Sequence, residues 1–173
     1  MRIALRCADA STVDGDVIGL KYAQEFHGVD GLFAERLGVT RGPAVGEHVL
    51  VPCPADMGVG EALFVGVRPI FDFRYSAIRR FSTAVLEILA RERPHCRRLV
   101  MTLHGPGYGL DETEAALAEI AGLEDALRSG VCPKELEEIV VAELEPGRVE
   151  RLRKALVRSL GRGDEAGRAD AWA

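Results

Sequence analysis

Short apolar runs alternate along the chain with stretches whose apolar positions recur every three or four residues, from residue 2 to residue 160. Arg2–Cys7 and Asp16–Leu20 read as the first two strands, separated by the polar turn Asp9-Ala10-Ser11-Thr12. Gly31–Leu37 reads as a short helix that closes at Gly38. His48–Val51 and Ala62–Val67 are the next strands, and the second (ALFVGV) is apolar enough for burial on both faces. Over Tyr75–Arg93 the residues Ile78, Phe81, Val85, Ile88 and Leu89 form one helical stripe, which Pro94 stops. Arg98–Leu103 predicts a strand running directly into His104-Gly105-Pro106-Gly107-Tyr108-Gly109. Asp111 with Glu114 makes a capping-box-like start for a helix that carries Leu117, Ile120, Leu123 and Leu127 and ends near Gly130. Glu138–Glu143 is the last strand, and Pro146 opens a final helix with Val149, Leu152, Leu156 and Leu160 on its stripe. Beyond residue 160 the pattern dies, so residues 161–173 are expected to form a disordered tail after one domain spanning 1–160.

Strands alternating with helices predict an α/β fold: a three-layer α/β/α sandwich around a mixed, largely parallel central sheet. Ligands of such sheets bind at the carboxyl ends of the strands. Three strand exits therefore matter: Asp9, the segment Leu20–Asp30, and the segment His104–Asp111.

Composition narrows the chemistry. A chain of 173 residues suits one domain, and 22 basic against 27 acidic side chains (net charge -5) argues against a nonspecific nucleic-acid binder. No run reaches the roughly 18 apolar residues of a membrane span, and the first residues hold no secretory core, so a cytoplasmic protein with no membrane contact is expected. Cys7, Cys53, Cys96 and Cys132 form no CxxC, and with four histidines the expectation is reduced, mostly buried thiols, no metal and no cofactor.

The strongest local feature is RLVMTL-HGPGYG-LDETEAALAEI, a strand feeding a glycine-rich turn and then a capped helix. Such a turn can aim amides at a phosphate, although Pro106 supplies no amide and Asp111 would repel an anion at the helix start. The spacing matches neither GxxxxGK[ST] nor GxGxxG. A ligand loop and a tight structural turn are both compatible with these residues. His104 is the one histidine at a strand exit placed for acid–base work, with a structural role as the plainer reading.

In this order of segments the chain resembles a macro domain over about residues 2–160. Ala8-Asp9-Ala10-Ser11 is similar to the family's GDIT-like turn, and Gly28-Val29-Asp30-Gly31-Leu32-Phe33 to its GGVDGAI segment. HGPGYGLD overlays the STGIYGYP-like loop, with Tyr108 on the aromatic. The resemblance implies a small nucleotide ligand related to ADP-ribose. Asp9 would read adenine, although a simple Asx-turn or cap role fits it equally. Gly28, Val29, His104, Gly105, Pro106, Gly107, Tyr108 and Gly109 would lie along the phosphate and ribose path, with Asp30 at the family's water-activating or ribose-contacting position.

The departures bear on catalysis. Leu20-Lys21-Tyr22-Ala23 stands where hydrolytic members carry an NAAN-like segment, and the chain contains no asparagine at all. Efficient hydrolysis is therefore not expected, and Asp30 is the one catalytic candidate if it occurs. Lys21 and His27 read as solvated loop side chains. The passage DVIGL…GVDGLFAERLG also resembles the N-terminal domain of leucyl aminopeptidases, which implies an alternative: a protein-interaction module whose cleft is filled by Phe26, Tyr22 or Tyr108.

Overall fold

The computed structural model describes residues 1–160, with side chains to residue 156; the expected tail at 161–173 and the side chain of Leu160 lie outside the described residues. The strands are β1 (Arg2–Cys7), β2 (Gly15–Tyr22), β3 (His48–Pro52), β4 (Val59–Gly66), β5 (Arg98–Thr102) and β6 (Glu138–Glu143). The helices are α1 (Gly28–Arg36), α2 (Tyr75–Glu92), α3 (Glu112–Arg128) and α4 (Pro146–Leu160). One sheet holds all six strands in the order β1-β6-β5-β2-β4-β3. Every neighbour pair is parallel except β3 with β4 at the edge. The mixed, largely parallel α/β/α sandwich is thus the observed fold.

Alternation along the strands divides the core in two. Val17, Leu63, Leu99, Met101, Ile139 and Val141 face α2, α3 and α4. Ile18, Leu20, Phe64, Val100 and Val140 face the other way, against Phe33 and Ala34 of α1 and Met57. Central strands buried on both sides need the continuous apolar runs seen in the sequence. The α2–α3 contact is close because Gly122 has no side chain: a Cβ there would lie 2.1 Å from the Arg79 carbonyl. Thr83 Oγ1 donates to the Gly122 carbonyl at 2.9 Å across the same contact.

At the amino ends of the strands, buried Glu138 gathers Arg2, Arg6 and Arg98 from β1 and β5. Burial alone would raise its carboxyl, but the Arg2 hydrogen bond and the charges of all three arginines hold it below the usual range. Cys96 is the one fully buried thiol; burial pushes it up to about 12, while Cys7 is exposed and Cys53 and Cys132 are half-buried. No helix among the described residues is long and apolar enough to cross a membrane.

Three elements differ from the pattern-based expectation, and the first is β4, which starts at Val59, three residues before Ala62. Helix α1 begins at Gly28, one turn earlier than Gly31, so Gly28 and Val29 are helical rather than loop residues. Its start carries no side-chain cap, and two glycines weaken the first turn's helical signal. Strand β2 continues past Leu20 because its ladder to β4 extends through Lys21 and Tyr22. Lys21 is accordingly a strand residue, 6% exposed, and not a solvated loop side chain.

Candidate functional site

A cleft of about 700 Å³ crosses the carboxyl ends of β1, β6, β5, β2 and β4. It brings together Asp9, Gly28, Val29, Asp30, His104, Gly105, Pro106, Gly107 and Tyr108. Gly109 is not in its wall; it closes the 105–109 turn in the left-handed conformation, φ +87°. With strands about 4.8 Å apart, three spacings separate Asp9 at β1 from Lys21 at β2, roughly 14 Å.

At the β1 end, Asp9 caps a single turn of 3₁₀ helix at Ala10–Thr12. Its Oδ1 accepts from the Ser11 backbone N–H and the Ser11 hydroxyl, each at 2.8 Å. Those two bonds, helped by the charge of Arg36, hold the carboxyl below its ordinary value against a small desolvation penalty. Both bonds fall on Oδ1, so Oδ2 keeps no partner among the described residues while Asp9 lines the cleft. Turn-capping and ligand-facing roles therefore coexist in one side chain.

The loop after β5 is pinned from below. His104 donates its backbone N–H to Glu119 Oε2 of α3 at 3.2 Å, and its Nδ1 lies 3.3 Å from the same oxygen. Phe81 and Phe73 pack their rings against the imidazole. This fits the structural reading of His104: the pair ties the loop to α3. Gly105 turns the chain at φ +118°, and a Cβ there would meet the Ala115 Cβ at 2.8 Å. Asp111 caps α3, accepting from the Thr113 and Glu114 amides. Tyr108 lies half-buried in the cleft wall; burial, then the charges of Asp30 and Glu119, push its phenol above the usual range.

Asp30 sits in the first turn of α1 and is 3% exposed. Its Oδ2 is held by the Lys21 ammonium and its Oδ1 by the Lys21 backbone N–H at 3.2 Å. Both oxygens face one residue, whose ammonium balances the charge of the carboxylate. The Lys21 Nζ also lies 6.0 Å from the centre of the Tyr108 ring.

Several cleft residues carry no mark in the sequence. Arg148 of α4 lines the cleft while donating to Glu143 at 3.0 Å, and Phe71 stands 89% exposed at the β4 end. No local pattern singles out either one. Lys21 does leave a signal: a lone cation within an apolar run needs a buried counter-ion. Tyr22 and Phe26 do not line the cleft; their tilted rings pack with centres 4.7 Å apart, and Phe26 meets Phe64 edge-on. Among the described residues no group of three or more His, Cys, Asp or Glu side chains could hold a metal.

No family model matches the chain, and no curated protein does. Solved structures do. A macrodomain of Trypanosoma brucei in complex with ADP-ribose is 17% identical, with TM-score 0.71, covering 90% of this chain and 69% of that one. A mutant macrodomain of Oceanobacillus iheyensis is 12% identical, with TM-score 0.68 and 92% of each chain covered. The macrodomain of Mycobacterium tuberculosis DarG is 10% identical, with TM-score 0.57, covering 80% of this chain and 96% of that one. The chain has the macrodomain fold.

Proposed function

We propose that the cleft binds ADP-ribose or a related small nucleotide and holds it without efficient hydrolysis. The observation that carries this reading is the continuous cleft, with a free carboxylate oxygen of Asp9 at one end and two amide-bearing segments in its middle. Asp9 Oδ2 accepts the adenine amino hydrogens. The first amides of α1, at Gly28 and Val29, have no acceptor within the helix and suit a diphosphate beside the 105–108 turn. The ADP-ribose held by the Trypanosoma brucei macrodomain supports this choice of ligand.

The engagement of both Asp30 oxygens by Lys21 supports binding over turnover, as does the absence of asparagine. Calorimetry with ADP-ribose, AMP and NAD tests the binding. Affinities in the millimolar range or weaker for all three overturn it in favour of a protein-interaction module. Release of ADP-ribose from a modified peptide tests turnover, and rapid release by the unaltered protein overturns the second half of the proposal.

A further inference from the structure

We infer that the loop between β4 and α2 docks an acidic peptide segment of a partner protein, with Phe71 as the apolar anchor. The inference is independent of which molecule the cleft holds. Every arginine whose side chain is described lies within ion-pair distance of a carboxylate except Arg41, Arg68, Arg74 and Arg80. These four are exposed and gather at one end of the sheet. Arg68 follows β4, Arg74 precedes α2, and Arg80 stands in the second turn of that helix. Arg41 joins them through its neighbour Gly42, where a Cβ would lie 2.2 Å from Tyr22 Cγ; Tyr22 in turn pairs with Gly66 at the end of β4. Asp72 and Glu47 are the acidic side chains of the two loops, so positive charge is in surplus here on a chain of net charge -5.

Phe71 stands amid these charges, 89% exposed, and its turn is held on both sides. Ile70–Asp72 form a single turn of 3₁₀ helix, in which the Asp72 and Phe73 amides donate to the Pro69 and Ile70 carbonyls. Phe73 is fully buried and packs near the rings of Phe81, His104 and Tyr108. A ring presented by so anchored a turn loses little freedom when a partner covers it. An aromatic anchor framed by guanidiniums matches an apolar side chain flanked by carboxylates: burial supplies affinity, and charge supplies orientation and rate. A nucleic-acid strand fits less well, because it asks for successive stacking rings along a positive groove. Here Phe71 alone stands free, since the Tyr75 hydroxyl accepts from the Asp111 amide at 3.1 Å. Ile70 and Phe71 also line the cleft, so the docked segment lies at its mouth.

The test presents the full chain to short immobilised peptides with a central leucine or phenylalanine flanked by aspartate and glutamate, by serine, or by lysine. The acidic set should bind about tenfold or more tightly than the serine set, with affinity falling as salt rises, and the lysine set should not bind. Phe71→Ser, and separately Arg68→Ser/Arg74→Ser, should each weaken the acidic set about tenfold. Thermal melts of these variants should match the unaltered protein, because the three side chains are exposed. Arg128→Ser, an exposed arginine at the far end of α3, should leave binding unchanged. Equal binding of the acidic and serine sets overturns the inference. So does binding that survives either the Phe71 or the arginine change. Tighter binding of single-stranded oligothymidylate, lost in the same variants, overturns it in favour of a nucleic-acid partner.

Discussion

The Lys21 ammonium and the Asp30 carboxylate meet between β2 and the first turn of α1, with side chains 7% and 5% exposed. Removing one partner strands the other's charge in the interior. Lys21→Met or Asp30→Leu alone should each cost about 3–5 kcal/mol of stability, while the double change costs far less. Urea unfolding of the three variants checks this; additive losses would mean that the two groups do not depend on each other.

Asp9 carries two separable roles. Asp9→Ala should weaken nucleotide binding by about 1–3 kcal/mol through a lost charge-assisted hydrogen bond. Its cost to folding, the loss of a cap on one short turn, should be about 1 kcal/mol. Calorimetry alongside a denaturation curve separates the two. Unchanged affinity would assign Asp9 to the turn alone.

Gly105 and Gly107 lie two residues apart in the same turn with different constraints. Gly105 has φ +118° and a close Ala115 neighbour, whereas a Cβ on Gly107 meets nothing within 4 Å. Gly105→Ala should cost about 1–3 kcal/mol and disturb the cleft wall, and Gly107→Ala less than about 0.5 kcal/mol. Thermal melts of the two single variants decide it.

Acid should weaken the fold through Glu138. Its folded carboxyl lies below the ordinary value of 4.5, so its pairing stabilises above pH 4.5 and is lost as the pH falls through the folded value. Glu61 behaves alike, lowered first by its Arg93 hydrogen bond. Glu138→Gln should cost about 1–3 kcal/mol at neutral pH. The variant should then lose less on acidification than the unaltered protein, and equal losses in urea midpoints across that range would refute the assignment.

Local periodicity and turn chemistry are enough to read the α/β class, the order of strands and helices, and the three exits that meet in the cleft. Those features depend on neighbours a few residues away: the stripe of α2, the Asp111 cap, the apolar run of β4. The absence of asparagine is equally plain from the residues alone. Only the tertiary structure decided what Asp30 pairs with, because Lys21 is placed beside it by a strand ladder that no helical or turn pattern encodes. The sheet order set Asp9 and Lys21 three strands apart, and packing of α3 beneath the loop placed the His104 Nδ1 beside Glu119. Arg148 and Phe71 entered the cleft from elements distant in sequence. Pairings of this kind are fixed by the sum of burial and charge across the whole sheet, which a single line of residues does not display.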